Sequence, residues 1–274
     1  MTQGQGVRFE LLGPLRASRD TVEIRLGPPR QCTVLAVLLL QEGRPMSYGA
    51  LVEAVWGAHP PSHVRNLVQK YVSGIRRALS GDGAPDLVWT GTGYRLDGAA
   101  PDDLLERRAL LRAALVARDS GDLRRSIALA AQAEAMWRGE FAEGLGGPSL
   151  EAERRRWEEK RLMVLEARME AELALGNYRE CVHELVRQVA TRPLRERLVE
   201  LLMLALYRGG RSSDALLVYE DTRRRIAAEI GCDPGPALRE LHQRMLRQDP
   251  ALLPRTPTDR GAPATAAPVT APAA

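Results

Sequence analysis

The sequence predicts a mainly α fold with a small β component, on three observations. Short alternating apolar runs broken by turn residues occupy only Val7 to Leu26 and a stretch near Val88 to Leu96. Between these stretches, apolar residues recur at helical spacing. From Asp102 to about Arg247 the strand signal is gone, and amphipathic helices follow one another between Gly and Pro breakers. A chain of 274 residues has room for two cores and a tail, which places boundaries at 1–98, 102–249 and 250–274.

Taken in order, VRFELLGPLRASRDTVEIRL reads as a small antiparallel sheet, interrupted at Gly13 and Pro14 and turned at Ser18 to Asp20. After the breaker Gly27, Pro28, Pro29, the stretch RQCTVLAVLLLQEG is apolar on most faces and stops at Gly43, which suits a buried helix of about three turns. Ser47 has the chemistry to cap a second helix, running through Leu51, Val52 and Val55 to Trp56 and ended by Gly57 and the Pro60, Pro61 pair. Ser62 is the expected cap of a third, in which Val64, Leu67, Val68, Tyr71, Val72, Ile75 and Leu79 share one face. The turn SGDGAPD then leads into LVWTGTGYRL, two short strands around glycine turns. The order is sheet, three helices, hairpin.

The second half carries an internal repeat. In ALGNYRECVHELVRQVATRP, residues Gly176, Tyr178, Cys181, Leu185 and Pro193 fall where a tetratricopeptide unit places its turn glycine, aromatic, small contacts and closing proline. Gly210 follows Gly176 at the 34-residue tetratricopeptide period, and Ala215 and Tyr219 continue the pattern. An earlier copy near Gly121 is offset by 55 residues, so an insertion around 139–160 breaks the register. That insertion, rich in Gly and Pro before a charged helix, suggests no chemistry of its own. From Pro250 onward the Pro- and Ala-rich text buries too little apolar surface to offset the entropy of ordering and is expected to be disordered.

Composition excludes several classes. The longest apolar run, Thr33 to Leu40, is too short to span a bilayer, and the first ten residues contain no export signal, so a cytoplasmic protein is expected, nucleoid-associated if it binds DNA. Cys32, Cys181 and Cys232 are neither even in number nor paired in spacing, against both a disulfide framework and a zinc module. The four histidines lack metal-ligand spacing and no phosphate-binding glycine loop is present, so no cofactor, metal or catalytic group is expected and the chain is not read as an enzyme. The net charge of +4 is small against 39 basic and 35 acidic residues, but residues 1–97 carry +3 of it.

The third helix is the candidate site. Opposite its apolar face stand His63, Arg65, Asn66, Gln69, Lys70, Ser73, Arg76 and Arg77, donors that can reach base edges and phosphates in a major groove. Residues of this kind also line any exposed helix, so this face alone leaves DNA binding and an ordinary solvated surface both open.

The pieces RQCTVLAVLLL, SYGALVEAVWGAHPP, RNLVQKYVSGIRRAL and GTGYRL together resemble the OmpR/PhoB-type winged helix-turn-helix. Its coupling to an all-α, tetratricopeptide-like domain containing ALGNYRECVHEL, YRGGRSSDAL and YEDTRRRIAAEIGCDPGPALREL resembles the SARP-type antibiotic regulatory proteins of actinobacteria, over residues 7 to 247. The resemblance implies a pathway-specific transcriptional activator. Such a protein binds promoter direct repeats in double-stranded DNA and recruits RNA polymerase through its sigma or alpha subunit, while its bacterial transcriptional activator domain makes protein contacts. A homodimer on DNA is expected because one small winged helix buries limited surface and tandem binding gains from effective concentration.

The resemblance also assigns residues. Asn66, Lys70, Ser73, Gly74 and Arg76, with Arg77 alongside, fall at groove-facing positions, and Arg65 and Gln69 share their face. On the wing it points to Thr90, Thr92 and Arg95. Gly74 and Thr90 depart from the family pattern, which places arginine at both, and Gly74 should cost about 1 kcal/mol of helix stability relative to alanine. These two departures keep other readings open: a repressor or accessory regulator, or a tetratricopeptide scaffold with weakened DNA binding.

Overall fold

In the computed structural model, which describes residues 6–253, β1 (Arg8–Glu10), β2 (Arg16–Arg19) and β3 (Val22–Glu23) form an antiparallel sheet in that order. Phe9 stands opposite Ala17, and both side chains are buried. The β2–β3 turn is made by Asp20 and Thr21, each at positive φ (49° and 73°), the geometry whose twist suits a hairpin and which glycine would adopt at less cost. Helix α1 (Pro29–Leu39) follows with Pro at its first position, and its residues Val34 to Leu39 are all buried.

Strand β4 (Met46–Ser47) leads into α2 (Tyr48–Trp56), where the Ser47 hydroxyl accepts from the Ala50 amide at 3.2 Å as the sequence predicts. Gly57, at φ 67°, ends the helix. Helix α3 (Val64–Leu79) begins later than expected. Its N-cap is His63, no side chain caps it, and Ser62 stays outside. Strands β5 (Asp86–Trp89) and β6 (Gly93–Asp97) close a second antiparallel sheet in the order β4-β6-β5.

Helices α4 (Asp102–Asp119), α5 (Leu123–Ala135), α6 (Pro148–Leu175), α7 (Tyr178–Thr191), α8 (Glu196–Arg208), α9 (Ser212–Glu229) and α10 (Pro236–Leu246) follow. Packing divides the chain into two units, with the seam between Arg168 and Met169. Residues 98–102 lie within the first unit, where the start of α4 supplies hydrogen bonds to β1 and the residues after it. The Asp102 carboxylate accepts from the Phe9 amide at 2.7 Å, and buried Asp103 accepts from the Leu11 and Leu12 amides, each at 2.7 Å. Burial pushes the Asp103 carboxyl above the usual carboxylate range, against the pull of those two amides.

The insertion has a structural role that the sequence does not suggest. Its loop lays backbone against the β1–β2 connection, with the amides of Arg138, Ala142 and Glu143 donating to the carbonyls of Leu12, Leu11 and Gly13 at 2.8 to 3.1 Å. Phe141, Ala142, Leu150 and Trp157 then enter the same core as α1 and α3. Arg107 lies buried under this layer, paired with Glu134 at 3.0 Å and set against the rings of Trp137 and Trp157, with centroids 5.5 and 5.6 Å away.

In the second unit the repeat reading holds. Gly176 and Gly210 take positive φ (88° and 78°) in the turns before α7 and α9. Cys181, Leu185, Ala215 and Tyr219 are buried, and α8 packs against both α7 and α9. Tyr219 stacks on His242 of α10 with ring centroids 3.8 Å apart. Composition predicts disorder from Pro250, but Pro250–Leu252 forms a 3-10 turn whose Leu252 is buried and whose carbonyl accepts from Arg208 Nε at 2.8 Å. The rest of the expected tail lies outside the described residues.

Candidate nucleic-acid interface

Helix α3 is placed by a stripe of four buried residues, Val68, Val72, Ile75 and Leu79, while Val64, Leu67 and Tyr71 are half-buried. The opposite face is therefore fixed in orientation. Arg65, Asn66, Gln69, Lys70, Ser73, Arg76 and Arg77 are all exposed.

The wing is built by two glycines with different reasons. Gly91 has φ 90°, which the tight turn requires. At Gly93 the reason is space, since a Cβ there would sit 1.9 Å from the Met46 carbonyl oxygen of β4. The Thr90 amide donates to the Gly93 carbonyl at 2.9 Å and the Tyr48 amide to the Thr92 carbonyl at 2.9 Å, so the wing tip is bonded to the start of α2. Tyr94 is buried, as its packing role predicts, and meets Trp89 edge to face at 5.0 Å.

Between α3 and the wing lies a cleft of about 740 Å³. It brings together Arg65, Gln69, Ser73, Arg76 and Thr92 from the expected set. Asn66, Lys70, Arg77, Thr90 and Arg95 do not line it. The cleft adds Tyr48 and Trp89, which sequence reasoning misses. Trp89 is 48% exposed, unusual for tryptophan, and its only sequence signal is an apolar residue out of alternation beside the turn.

The cations of this surface differ in what they hold. Arg76 donates from Nε (3.0 Å) and Nη2 (2.5 Å) to the Leu87 carbonyl, which ties α3 to β5. Arg95 is engaged by Asp97, with Nε and Nη2 donating to its carboxylate at 2.7 to 3.0 Å. Arg65, Lys70 and Arg77 make no ion pair among the described residues. The sequence holds one signal for this: between Glu53 and Asp82 there is no acidic residue at all.

The expected groove contact at Gly74 is corrected. A Cβ on Gly74 would meet the Gln31 side chain of α1, 2.1 Å from Oε1, so this position faces the domain interior. Gln31 is 7% exposed, its Nε2 donates to the Leu26 carbonyl at 2.6 Å, and a Cβ on Gly27 would meet that same nitrogen at 2.6 Å. Two glycines thus make room for one buried amide, and Gly74 records packing.

The folded class is a winged helix-turn-helix followed by a tetratricopeptide-like helical domain, an arrangement of transcriptional regulators. The chain matches the family model described as transcriptional regulatory protein, C terminal, over residues 22–96, and that of the bacterial transcriptional activator domain over 103–246. It belongs to the SARP-type family of regulators, which joins an OmpR/PhoB-type winged helix to that activator domain.

Among its relatives, regulatory protein AfsR of Streptomyces coelicolor is 46% identical over 248 residues, covering 90% of this chain and 25% of AfsR. Regulatory protein DnrI of Streptomyces peucetius is 33% identical over 258 residues, covering 90% of this chain and 94% of DnrI. A solved structure of Mycobacterium tuberculosis EmbR in complex with a low affinity phosphopeptide superposes with a TM-score of 0.82 at 34% identity, covering 89% of this chain and 66% of EmbR. The chain thus spans about a quarter of AfsR but nearly the whole of DnrI.

Proposed function

We propose that this protein is a sequence-specific DNA-binding transcriptional activator of a specialised-metabolite gene cluster, which binds promoter direct repeats and contacts RNA polymerase. The observation that carries the DNA-binding part is the α3 face, where Arg65, Lys70 and Arg77 stand exposed without an acidic partner beside a cleft edged by the wing. A cation with no carboxylate nearby gives up nothing when a phosphate arrives, and displacing counterions from DNA then drives association. In this reading α3 enters the major groove, Asn66 and Gln69 are placed to read base edges, and Arg65, Lys70 and Arg77 position the helix on phosphates. Arg76 and Arg95 contribute after exchanging their internal partners.

The test is affinity for promoter fragments of neighbouring genes, against scrambled competitor and as a function of salt, for the parent protein and for Arg65→Ala and Lys70→Ala. Specific binding should weaken about tenfold per substitution, and the slope against salt should fall by about one for each phosphate left without its cation. Unchanged affinity and slope in both variants would remove α3 from the interface. A reporter assay gives the sign of regulation. The scaffold alternative loses one of its two supports, since Gly74 faces Gln31.

A further inference from the structure

A second surface of the first unit is built for a different partner. α4, α5 and the stretch of α6 around Met163 leave between them an apolar groove of about 290 Å³, lined by Leu111, Ala114, Leu115, Ala130, Met163 and Val164, with Arg118 and Arg168 the charged residues on its wall. We propose that this groove docks an acidic amphipathic helix of a partner protein.

Three observations choose the occupant. The apolar lining is itself open to solvent: Leu115 is 48% and Met163 58% exposed. An amphipathic helix lying along the groove would cover these side chains with anchors at i, i+3, i+4 and i+7. The charge is of one sign. No acidic residue lines the groove, and Arg108 to Arg118 of α4 holds three arginines and no acid.

Donors are also available. Among the described residues, Arg168 Nε is shielded from solvent without a hydrogen-bond partner, and Arg118 pairs with the exposed Asp119 beside it, at 3.5 Å. Glutamates flanking the apolar stripe of a docked helix would meet these guanidinium groups. The groove shares no residue with the α3 and wing surface, so its occupant can be tested apart from DNA binding, while a protein partner for the helical domain extends the activator reading.

The experiment is fluorescence anisotropy of the full chain with three synthetic peptides. One is a helix with leucine at i, i+3, i+4 and i+7 flanked by glutamate; the second replaces each glutamate by lysine; the third scrambles the first. Each is titrated with the parent protein and with the Leu115→Glu/Met163→Glu double variant, whose substituted positions are exposed and whose DNA affinity and melting temperature should be unchanged. The acidic helix should bind best, and the double variant should lose at least about tenfold in affinity for it.

Equal binding of the acidic and lysine helices, or full affinity in the double variant, overturns the proposal. Saturable binding of dodecanoate without binding of the acidic helix would assign the groove to a small apolar anion. Self-association abolished by the double substitution, again without helix binding, would assign it to a second copy. Peptide binding by a protein that fails to bind DNA would leave the groove standing and remove the DNA-binding reading instead.

Discussion

Helices α3 and α9 carry similar numbers of cations and use them in opposite ways. On α9, Arg223 pairs with Glu220 at 3.0 Å, Arg224 pairs with Asp221, and Arg211 at its N-cap pairs with Asp214 at 2.6 Å, each at a spacing of three residues. On α3, Arg65, Lys70 and Arg77 have no such partner, because the flanking sequence contains no acid for a full turn or more on either side. The number of cations alone does not distinguish these helices, four on α3 and three on α9. Pairing does. A surface arginine with a carboxylate one turn away contributes a few tenths of a kcal/mol of stability, whereas one left open can take up an anion without first breaking an internal pair.

A third kind of arginine marks the far end of this comparison and should give the largest effect. Arg107 is 1% exposed, with Glu134 as its ion pair and two indole rings against it. Changing Arg107→Ala leaves Glu134 with Arg161 alone and opens a cavity beneath Trp157, so urea denaturation should report a loss of about 3 to 5 kcal/mol. A loss under about 1 kcal/mol would mean that the buried pair is incidental to this core.

The comparison itself can be broken by making α3 resemble α9. Gln69→Glu with Ser73→Glu places an acid four residues after Arg65 and another three after Lys70 and three before Arg76. DNA affinity should fall about a hundredfold, roughly 3 kcal/mol, while stability stays within about 0.5 kcal/mol. Retained affinity would show that unpaired cations on α3 are not what DNA sees.

Gly74 sharpens the distinction between interior and surface on the same helix. Alanine there gains about 1 kcal/mol of helix propensity but drives its Cβ into the Gln31 amide, and orphaning the Leu26 carbonyl costs about 1 to 3 kcal/mol. Gly74→Ala should destabilise the parent by about 1 kcal/mol but cost nothing in a Gln31→Ala background, where the Leu26 carbonyl has already lost its donor. A double-mutant cycle with no coupling would return Gly74 to the solvent face. The smallest effect is the converse of the α3 experiment: Glu220→Gln with Asp221→Asn on α9 should cost a few tenths of a kcal/mol and leave DNA affinity within about twofold.

Much of this is legible in the chain without coordinates. The apolar period of α3, the Ser47 cap, the wing glycines and the 34-residue spacing of Gly176 and Gly210 each express a local rule, and local rules survive into the fold. Where reading fails, a distant partner decides. Ser62 could cap a helix, but α3 starts two residues later behind His63. Gly74 fits a groove-facing position by pattern, yet its reason sits 43 residues away at Gln31.

The sequence by itself determined the sheet, three helices, hairpin and helical repeat order, and which helix face is polar, because periodicity and turn chemistry are properties of neighbouring residues. Tertiary structure alone decided that the insertion joins the core of the winged-helix half, that Asp102 and Asp103 satisfy amides of β1 and of the residues after it, and that Arg76 and Arg95 are engaged while Arg65, Lys70 and Arg77 are not. Those outcomes depend on which carbonyl or carboxylate arrives within about 3 Å of a donor, and no spacing along the chain specifies that distance.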